Sequence, residues 1–550
     1  MKATGRKWLC IGALFIVTVV LIILSTPVFY LNDDVTMRSI LSGAYTGTPD
    51  GHAVYMQYPL SGVLAILYRV VGFIPWMELF FAGSVFACMV FFAESFESWV
   101  RGVLAAIAIY IPFLLYTHYT LIAALLAATA CFLLAKGDKG IRSGVLLLLA
   151  FLVRGQIGLL SIPFVLCAMV FRVFLMPASE RKRECIRKGK WLTVLTICML
   201  VCSIIHTVCY SSAEWKDYNA YNDARTQLYD YTDFLSTTVY EEDSTVYGMT
   251  AMEYDVLYSY NNMLEPSIDG ERMQDIANRI TEAMADRTKE VSTLKDSVYK
   301  YYLHIRYNDS PYNYIWVVTV CLIALCCVWC KKWLNLGILG VLEIGRSFVW
   351  VYLIWKGRFP ERISVSLYLI EILLLLGMLQ MIISEAKLSI TTKKVAGCVC
   401  IGLLMVASFF EWKDTFKELE KRHQIQEEWD DLKDYCAQSS ETVYLMDVFS
   451  VVEYAETQYN RYAENMMLLG GWLSASPLSR EVFRQMDVED AAEALLSGKV
   501  RLLADKEKDL EWLDSYLESR FGACEWIACD EVLLQNGKGF KVYEIRSLTP

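Results

Sequence analysis

The chain has 550 residues, of which 55% are hydrophobic and only 20% are charged, and its mean hydropathy is +0.35. These values argue against a water-soluble globular protein, because the apolar residues also cluster in runs that reach the about 20 residues a helix needs to cross a bilayer. The formal net charge of -10 disfavours nucleic-acid binding, since the acidic residues concentrate in the stretches 211–313 and 412–550 with no accompanying basic face.

The amino-terminal segment predicts the first membrane span. Lys2, Arg6 and Lys7 precede an apolar run from Trp8 to Phe29. The run resembles a signal peptide, but it is long and no small-residue cleavage pattern ends it. We therefore predict an uncleaved span whose amino terminus lies in the cytoplasm.

Further apolar segments continue this pattern along the chain. They lie at about 76–93, 102–117, 119–135, 143–175, 191–210, 314–330, 333–355, 363–384 and 395–411. Segment 143–175 is too long for one span, and basic loops flank it on both sides, so we predict a hairpin of two short helices around Arg154 and Gly155. The length and positive-inside rules together give about eleven spans. The regions left on the exterior are 30–75, 211–313 and 412–550.

The exterior regions differ in character. Region 30–75 ends in an amphipathic run, from Tyr58 to Trp76, that suits a helix lying in the membrane interface. In region 211–313, residues recur at helical spacing: Trp215, Tyr218, Asn222, Arg225 and Tyr229. In region 412–550 a charged helix precedes alternating strands and helices, as in a small α/β domain. The predicted fold is a polytopic α-helical membrane domain, residues 1–411, followed by an extracytoplasmic α/β domain, residues 412–550.

Two acidic residues, Asp33 and Asp34, follow the first span at the predicted outer face. An exposed acidic pair in a loop often only binds water. At the edge of a low-dielectric cavity, however, desolvation raises the pKa of a carboxylate, which can then act as a general base near neutral pH. The pair could equally hold a divalent cation through its oxygens. The sequence alone leaves these alternatives open.

A second candidate is the short loop that contains Lys356, Arg358, Glu361 and Arg362. It lies on the predicted outer side, and cations there run against the preference of positive charge for cytoplasmic loops. A bound anion explains them, and the planar guanidinium group of arginine suits the phosphate of a lipid. Anchoring to lipid headgroups or pairing with Glu361 is the alternative.

Ionisable residues inside predicted spans are costly and often functional. Glu343 and Arg346 lie one helical turn apart and could neutralise each other, and Arg154 could serve a lipid phosphate or a structural role. His52 and His118 are predicted at the outer face. No HxxxH or HxH pairing accompanies them, so we predict no zinc site.

With these features the chain resembles the GT-C superfamily of membrane glycosyltransferases, which contains protein O-mannosyltransferases and aminoarabinose transferases. The resemblance covers roughly residues 8–411. It rests on Asn32-Asp33-Asp34 after the first span, the interfacial stretch from Tyr58 to Trp76, the break at Arg154 and the loop 357–362.

The resemblance implies a sugar donor on a polyprenyl phosphate, presented from the outer leaflet, with metal-independent transfer in many members. Asp33 or Asp34 would match the catalytic acid of the first exterior loop. Arg358 and Arg362 would match the cations near the lipid phosphate, with Arg154 as a third. His52, His118, Arg225 and Lys356 are further cavity candidates.

The leading hypothesis is therefore a multi-pass plasma-membrane glycosyltransferase that transfers a sugar to a glycan, lipid or protein acceptor, with no cofactor other than, in one reading, a divalent cation. One rival is a transporter or flippase for a lipid-linked or anionic solute, for which internal symmetry or paired broken helices are expected. Another is a non-catalytic envelope scaffold whose α/β domain recruits partners.

Overall fold

The computed structural model describes residues 3–232, 234–235, 247–287, 294–357, 359–385, 390–454, 456–460 and 464–548. Most of them are helical. The helices of the amino-terminal half are α1 (Ala3–Ser25), α2 (Asn32–Ser42), α3 (Tyr58–Val70), α4 (Trp76–Glu94), α5 (Trp99–Leu115), α6 (Tyr119–Ala135), α7 (Ile141–Val153), α8 (Gly155–Leu160), α9 (Ile162–Leu175), α10 (Ala178–Cys209) and α11 (Ala213–Thr226). A π-helical turn, Gln227–Tyr231, extends α11.

The following helices are α12 (Ala251–Tyr258), α13 (Gly270–Arg287), α14 (Leu294–Leu303), α15 (Tyr312–Trp329), α16 (Trp333–Trp355), α17 (Glu361–Glu385) and α18 (Ile390–Ala437). The carboxyl-terminal domain adds α19 (Val448–Val451), α20 (Pro477–Gln485), α21 (Ala491–Leu496) and α22 (Glu511–Phe521). The strands are β1 (Val28–Phe29), β2 (Tyr116–Thr117), β3 (Val443–Met446), β4 (Met466–Leu468), β5 (Val500–Asp505), β6 (Cys524–Leu533) and β7 (Gly539–Ser547).

Among the residues described, seven helical segments are long and apolar enough to cross a membrane. They are Trp8–Ser25, Trp76–Glu94, Gly155–Leu175, Ala178–Cys209, Tyr312–Trp329, Trp333–Trp355 and Glu361–Glu385. Shorter apolar helices coincide with the predicted spans near α5, α6 and α7, and the predicted span 395–411 falls within α18. The count of about eleven spans stays a prediction.

The centre of the bundle is formed by α6 and α17. Every residue of α6 is buried, and 89% of the apolar window of α17 is buried. A Cβ atom at Gly377 would lie 2.7 Å from the carbonyl oxygen of Phe132, so the glycine permits the two helices to approach closely. At the periphery only 11% of the apolar window of α10 is buried. Such apolar outward faces are typical of helices that contact lipid.

The predicted hairpin within 143–175 is present. The chain leaves helical geometry at Arg154, whose φ and ψ are -149° and 100°. A Cβ atom at Gly158 would lie 2.6 Å from the Cα atom of Phe151, and one at Gly137 would lie 3.0 Å from Nε of Arg172. The last turn of α7 and the residue Gly137, which precedes α7, therefore both lie close to the returning segment α8–α9.

Ion pairs gather the basic loops at one end of the bundle, which we call the basic end. Arg142 pairs with Glu94, and Arg172 and Lys332 both pair with Glu385. The loops predicted to be cytoplasmic thus share one end. Which side of the membrane that end faces remains a prediction from the positive-inside rule.

The opposite end of the bundle carries a cap, formed by the described residues of the ranges 26–75, 210–287 and 438–548. The cap contains a five-stranded sheet of order β4-β3-β5-β7-β6, in which β3 is parallel to β4 and β5, and β7 is antiparallel to β5 and β6. Strand and helix alternate as predicted for the α/β domain, although β4, α19 and α20 were not predicted. The single helix α18 joins the predicted last span to the predicted charged helix.

The parts of the cap dock on one another. The backbone N–H of Phe29 donates to the carbonyl of Glu456 at 3.1 Å, and the Asn32 amide donates to the carbonyl of Val452 at 2.8 Å. The Tyr218 hydroxyl donates to the carbonyl of Trp472 at 2.8 Å. The carboxyl-terminal domain therefore packs directly against the segment that contains the two aspartates.

Candidate functional site

The first turn of α2 presents the two aspartates at the cap end. Strand β1 lies parallel to β2, with Val28 opposite Tyr116, and so ties the end of α1 to the end of α5. The chain then enters α2 at Asn32. Asp33 and Asp34 lie in the first helical turn, where the helix dipole favours negative charge.

The structure distinguishes the two aspartates. Asp34 is fully buried, and its Oδ1 accepts a hydrogen bond from the backbone N–H of Tyr119 at 3.0 Å. Burial raises the pKa of the Asp34 carboxyl well above its ordinary value. These contacts suit a structural anchor that joins α2 to the start of α6.

Asp33 is half-buried and makes no hydrogen bond or ion pair with the described residues. Burial raises the pKa of its carboxyl, while the charges of Arg362, Arg154 and Arg225, in that order of strength, lower it. Guanidinium groups from three separate segments therefore act on one carboxylate. Of the two aspartates, Asp33 is the one free to contact a ligand.

Arg362 occupies the first turn of α17 and lines a cavity of about 430 Å³ at the cap end. The cavity is also lined by Tyr30, Leu31, Tyr116, Glu361, Glu411 and Arg422. Arg422 pairs with Glu418 at 3.0 Å. Within the described ranges, no ion pair neutralises the Arg362 guanidinium, which leaves it free for an anion.

Arg154 and Arg225, whose charges also act on Asp33, come from two other segments of the chain. The Arg154 guanidinium carbon lies 5.1 Å from the ring centre of Tyr55 and 5.2 Å from that of Tyr119, both cation–π contacts. Arg154 is positioned by the break between α7 and α8. Arg225, in the last turn of α11, is buried and donates to the hydroxyl of Tyr260 at 2.7 Å.

His118 also lies beside these cations. It is fully buried at the amino end of α6, and its Nδ1 accepts the backbone N–H of Thr120 at 2.9 Å. Burial first, and then the charges of Arg362 and Arg154, lower the pKa of His118 well below its ordinary value, so the ring is neutral. Because Nδ1 is the acceptor, Nε2 carries the proton. Nε2 has no partner among the described residues and is an available donor.

Other predicted site residues lie elsewhere. His52 stacks on Trp215 with ring centres 4.5 Å apart, and its Nδ1 lies 2.6 Å from Asp50. Lys356 is exposed, with its Nζ 5.9 Å from the ring centre of Tyr352, and it does not line the cavity around Arg362. Arg358 falls outside the described residues.

The ion pair expected between Glu343 and Arg346 is replaced by another. Arg346 does not pair with Glu343 of its own helix; its Nε donates instead to Oε2 of Glu371, on α17, at 2.6 Å. The sequence gives no local signal for this contact, because the two residues belong to different helices. Tyr55 and Tyr119 were missed for the same reason: only the fold brings them to Arg154.

Within the described ranges, no group of three or more His, Cys, Asp or Glu side chains is gathered so that it could hold a metal ion. Among the described residues, the charges of three guanidinium groups act on the Asp33 carboxylate, and two of them, Arg362 and Arg154, also act on the neutral imidazole of His118. Such a site can accept a proton and bind an anion. No protein-family model, curated protein or solved structure matches the chain.

Proposed function

We propose that the protein is a membrane glycosyltransferase that transfers a sugar from a polyprenyl-phosphate donor to an acceptor at the outer face of the membrane. The observation that carries the proposal is the set of three guanidinium groups that act on the accessible carboxylate of Asp33. A general base and cations are the two components that displacement at a glycosyl phosphate requires. Arg362 lines a cavity of about 430 Å³, a volume in the range of small-molecule sites, although Asp33 and Arg154 are not among its lining residues.

In the proposed reaction, Asp33 accepts the proton of the acceptor hydroxyl as the hydroxyl oxygen attacks the anomeric carbon. The bond between this carbon and the phosphate oxygen breaks, and its electron pair stays on the polyprenyl phosphate. Arg362 and Arg154 stabilise the negative charge that develops there. Desolvation raises the pKa of Asp33 and makes it a stronger base than a solvated aspartate, while the charges of the arginines oppose this rise.

Variants of the two aspartates test directly whether Asp33 is the base and Asp34 a structural anchor. Asp33→Asn removes the base, whereas Asp34→Asn keeps an oxygen that accepts the Tyr119 N–H. In liposomes with a radiolabelled polyprenyl-phosphate hexose, we expect Asp33→Asn to lower turnover by about 100-fold or more, the usual contribution of a general base. The affinity for polyprenyl phosphate, measured by native mass spectrometry, should stay within about twofold, or about 0.4 kcal/mol, because the arginines that bind the phosphate are unchanged.

Asp34→Asn is the matched control, and we expect it to retain turnover. Full activity of Asp33→Asn would refute the role of this residue. Failure of the wild-type protein to bind polyprenyl phosphate would refute the donor class.

A transporter for an anionic lipid-linked solute is the second candidate, and one observation favours it. Arg346 and Glu371 form an ion pair within apolar helices, and charged residues at such depth often mark solute or proton pathways. The two candidates differ in product. A transporter moves an intact fluorescent polyprenyl-phosphate lipid between leaflets, whereas the transferase releases free polyprenyl phosphate.

A further inference from the structure

A second polar group lies inside the helix bundle, distinct from the site around Asp33. Its centre is the Arg346 guanidinium, which donates to Glu371 and, at 2.7 Å, to the hydroxyl of Tyr301. Arg346 and Glu371 are both fully buried. Aromatic rings enclose the guanidinium carbon, with ring centres at 4.0 Å for Trp316 and 4.5 Å for Trp350.

The charges of this group do not balance. Glu343 lies one turn before Arg346 on α16, so two carboxyl groups share one guanidinium. The other titratable groups that face them are neutral in their ordinary state: Tyr301 from α14, Tyr368 from α17 and Cys167 from α9. Farther out, beyond Trp350, His304 pairs with Asp309. With both carboxyl groups ionised, the group would hold an uncompensated negative charge, which is costly among apolar helices.

The hydrogen bonds of Glu343 are also incomplete. Both of its carboxyl oxygens are buried, and neither accepts a hydrogen bond from the described residues. The indole N–H of Trp316 already donates to Oε1 of Glu371 at 3.1 Å, and Nη2 of Arg346 is buried without an acceptor among the described residues. The carboxyl groups of Glu343 and Glu371 lie within hydrogen-bonding reach of each other, but two carboxylates have no hydrogen to share.

One added proton balances the charge and allows one carboxyl group to donate a hydrogen bond to the other. We propose that Glu343 and Glu371 together bind one proton inside the bundle, as a carboxyl pair hydrogen-bonded to each other and to Arg346. A metal cation is a poorer match. The described residues offer no set of three or more acidic, His or Cys ligands, and the guanidinium repels a cation.

The surroundings of the pair are mostly apolar. Arg346 lines a groove of about 980 Å³ between α9 and α16, whose other lining residues are apolar or weakly polar, among them Phe164, Leu334 and Val341. Glu371 also lies on the same helix as Arg362, nine residues farther on, or about 13 Å along the axis. The proton site and the cation of the proposed active site are therefore carried by one rigid element.

Infrared spectroscopy of the reconstituted protein tests the proposal, because a protonated carboxyl group has a C=O band that is separate from carboxylate bands and shifts in D₂O. We expect Glu343→Gln and Glu371→Gln each to lose the band of one protonated carboxyl group at neutral pH. In the Glu343→Gln variant the new side-chain amide would donate to Glu371, so that variant keeps a hydrogen bond in place of the proton.

Glu94→Gln is the control, since Glu94 pairs with Arg142 at the basic end at 3.2 Å. It should leave the band unchanged. A wild-type minus Glu343→Gln spectrum without a protonated-carboxyl band would overturn the proposal. So would a melting temperature of the wild type that rises with sodium and not with protons. The result does not depend on the glycosyltransferase proposal, because the band is measured without substrate.

Discussion

Glu456→Gln tests how firmly the carboxyl-terminal domain holds the helix that carries Asp33. Glu456 is buried in that domain and pairs with Arg38 of α2, which also pairs with Glu78 at 3.4 Å. All three side chains are at most 3% exposed. Removing one partner of a buried pair costs about 3–5 kcal/mol. We expect about 3 kcal/mol, the lower end of that range, because Glu78 still neutralises Arg38.

The lost free energy weakens the docking of the carboxyl-terminal domain against α2. Amide hydrogen exchange of residues 32–42 reports this opening, and 3 kcal/mol corresponds to exchange about 100-fold faster. Glu481→Gln is the matched control, because its pair with Arg484 is about half exposed and contributes about 0–1 kcal/mol. Exchange of α2 that is accelerated less than about fivefold, or equally in the control, would refute the view that this buried pair fixes α2.

Further predictions concern the site and the bundle. Arg362→Gln removes the charge that most strongly lowers the pKa of Asp33. The acid limb of the pH–rate profile should therefore move to higher pH. An unchanged acid limb would exclude Asp33 as the base on which Arg362 acts. The same variant should weaken polyprenyl-phosphate binding by about tenfold or more, the strength of a charge-assisted hydrogen bond. Lys356→Gln, at an exposed position just before α17, should change this binding by less than about twofold. Because burial raises the pKa of Asp34, its contribution to stability is present below the ordinary aspartate pKa and is lost as the pH rises through the folded-state pKa. The melting temperature of Asp34→Asn should therefore fall less than that of the wild type between acidic and neutral pH, and an equal fall would contradict this. Gly377→Ala should lower the free energy of unfolding by about 1–3 kcal/mol through overpacking against Phe132, while Gly340→Ala, with open space around it, should be neutral in the same denaturation experiment.

Much of the helical bundle could be predicted from hydropathy, because a span must be continuously apolar. The same logic located the break at Arg154: basic loops on both sides of 143–175 require an even number of crossings. Helix α11, with Arg225 in its last turn, followed from residues at helical spacing. In each of these cases the information lies within one segment of the chain.

The features that were not predicted depend on contacts between distant segments. The sequence cannot distinguish Asp33 from Asp34, because the difference arises from the backbone N–H of Tyr119 at the start of another helix. Glu371 is the one charged residue away from the two ends of α17, and only the packing of α16 on α17 identifies it as the partner of Arg346. Strand β4 has only three residues, too few for an alternating pattern to show.

The proposed function requires that a lipid phosphate binds between Arg362 and Arg154, facing Asp33. Cryo-electron microscopy of the protein with polyprenyl phosphate in a lipid nanodisc tests it most directly. We expect phosphate density within about 4 Å of both guanidinium groups, the distance of an ion pair, with the Asp33 carboxylate facing it. Density for the phosphate at the basic end of the bundle, or at the cap end but in contact with neither arginine, would contradict it.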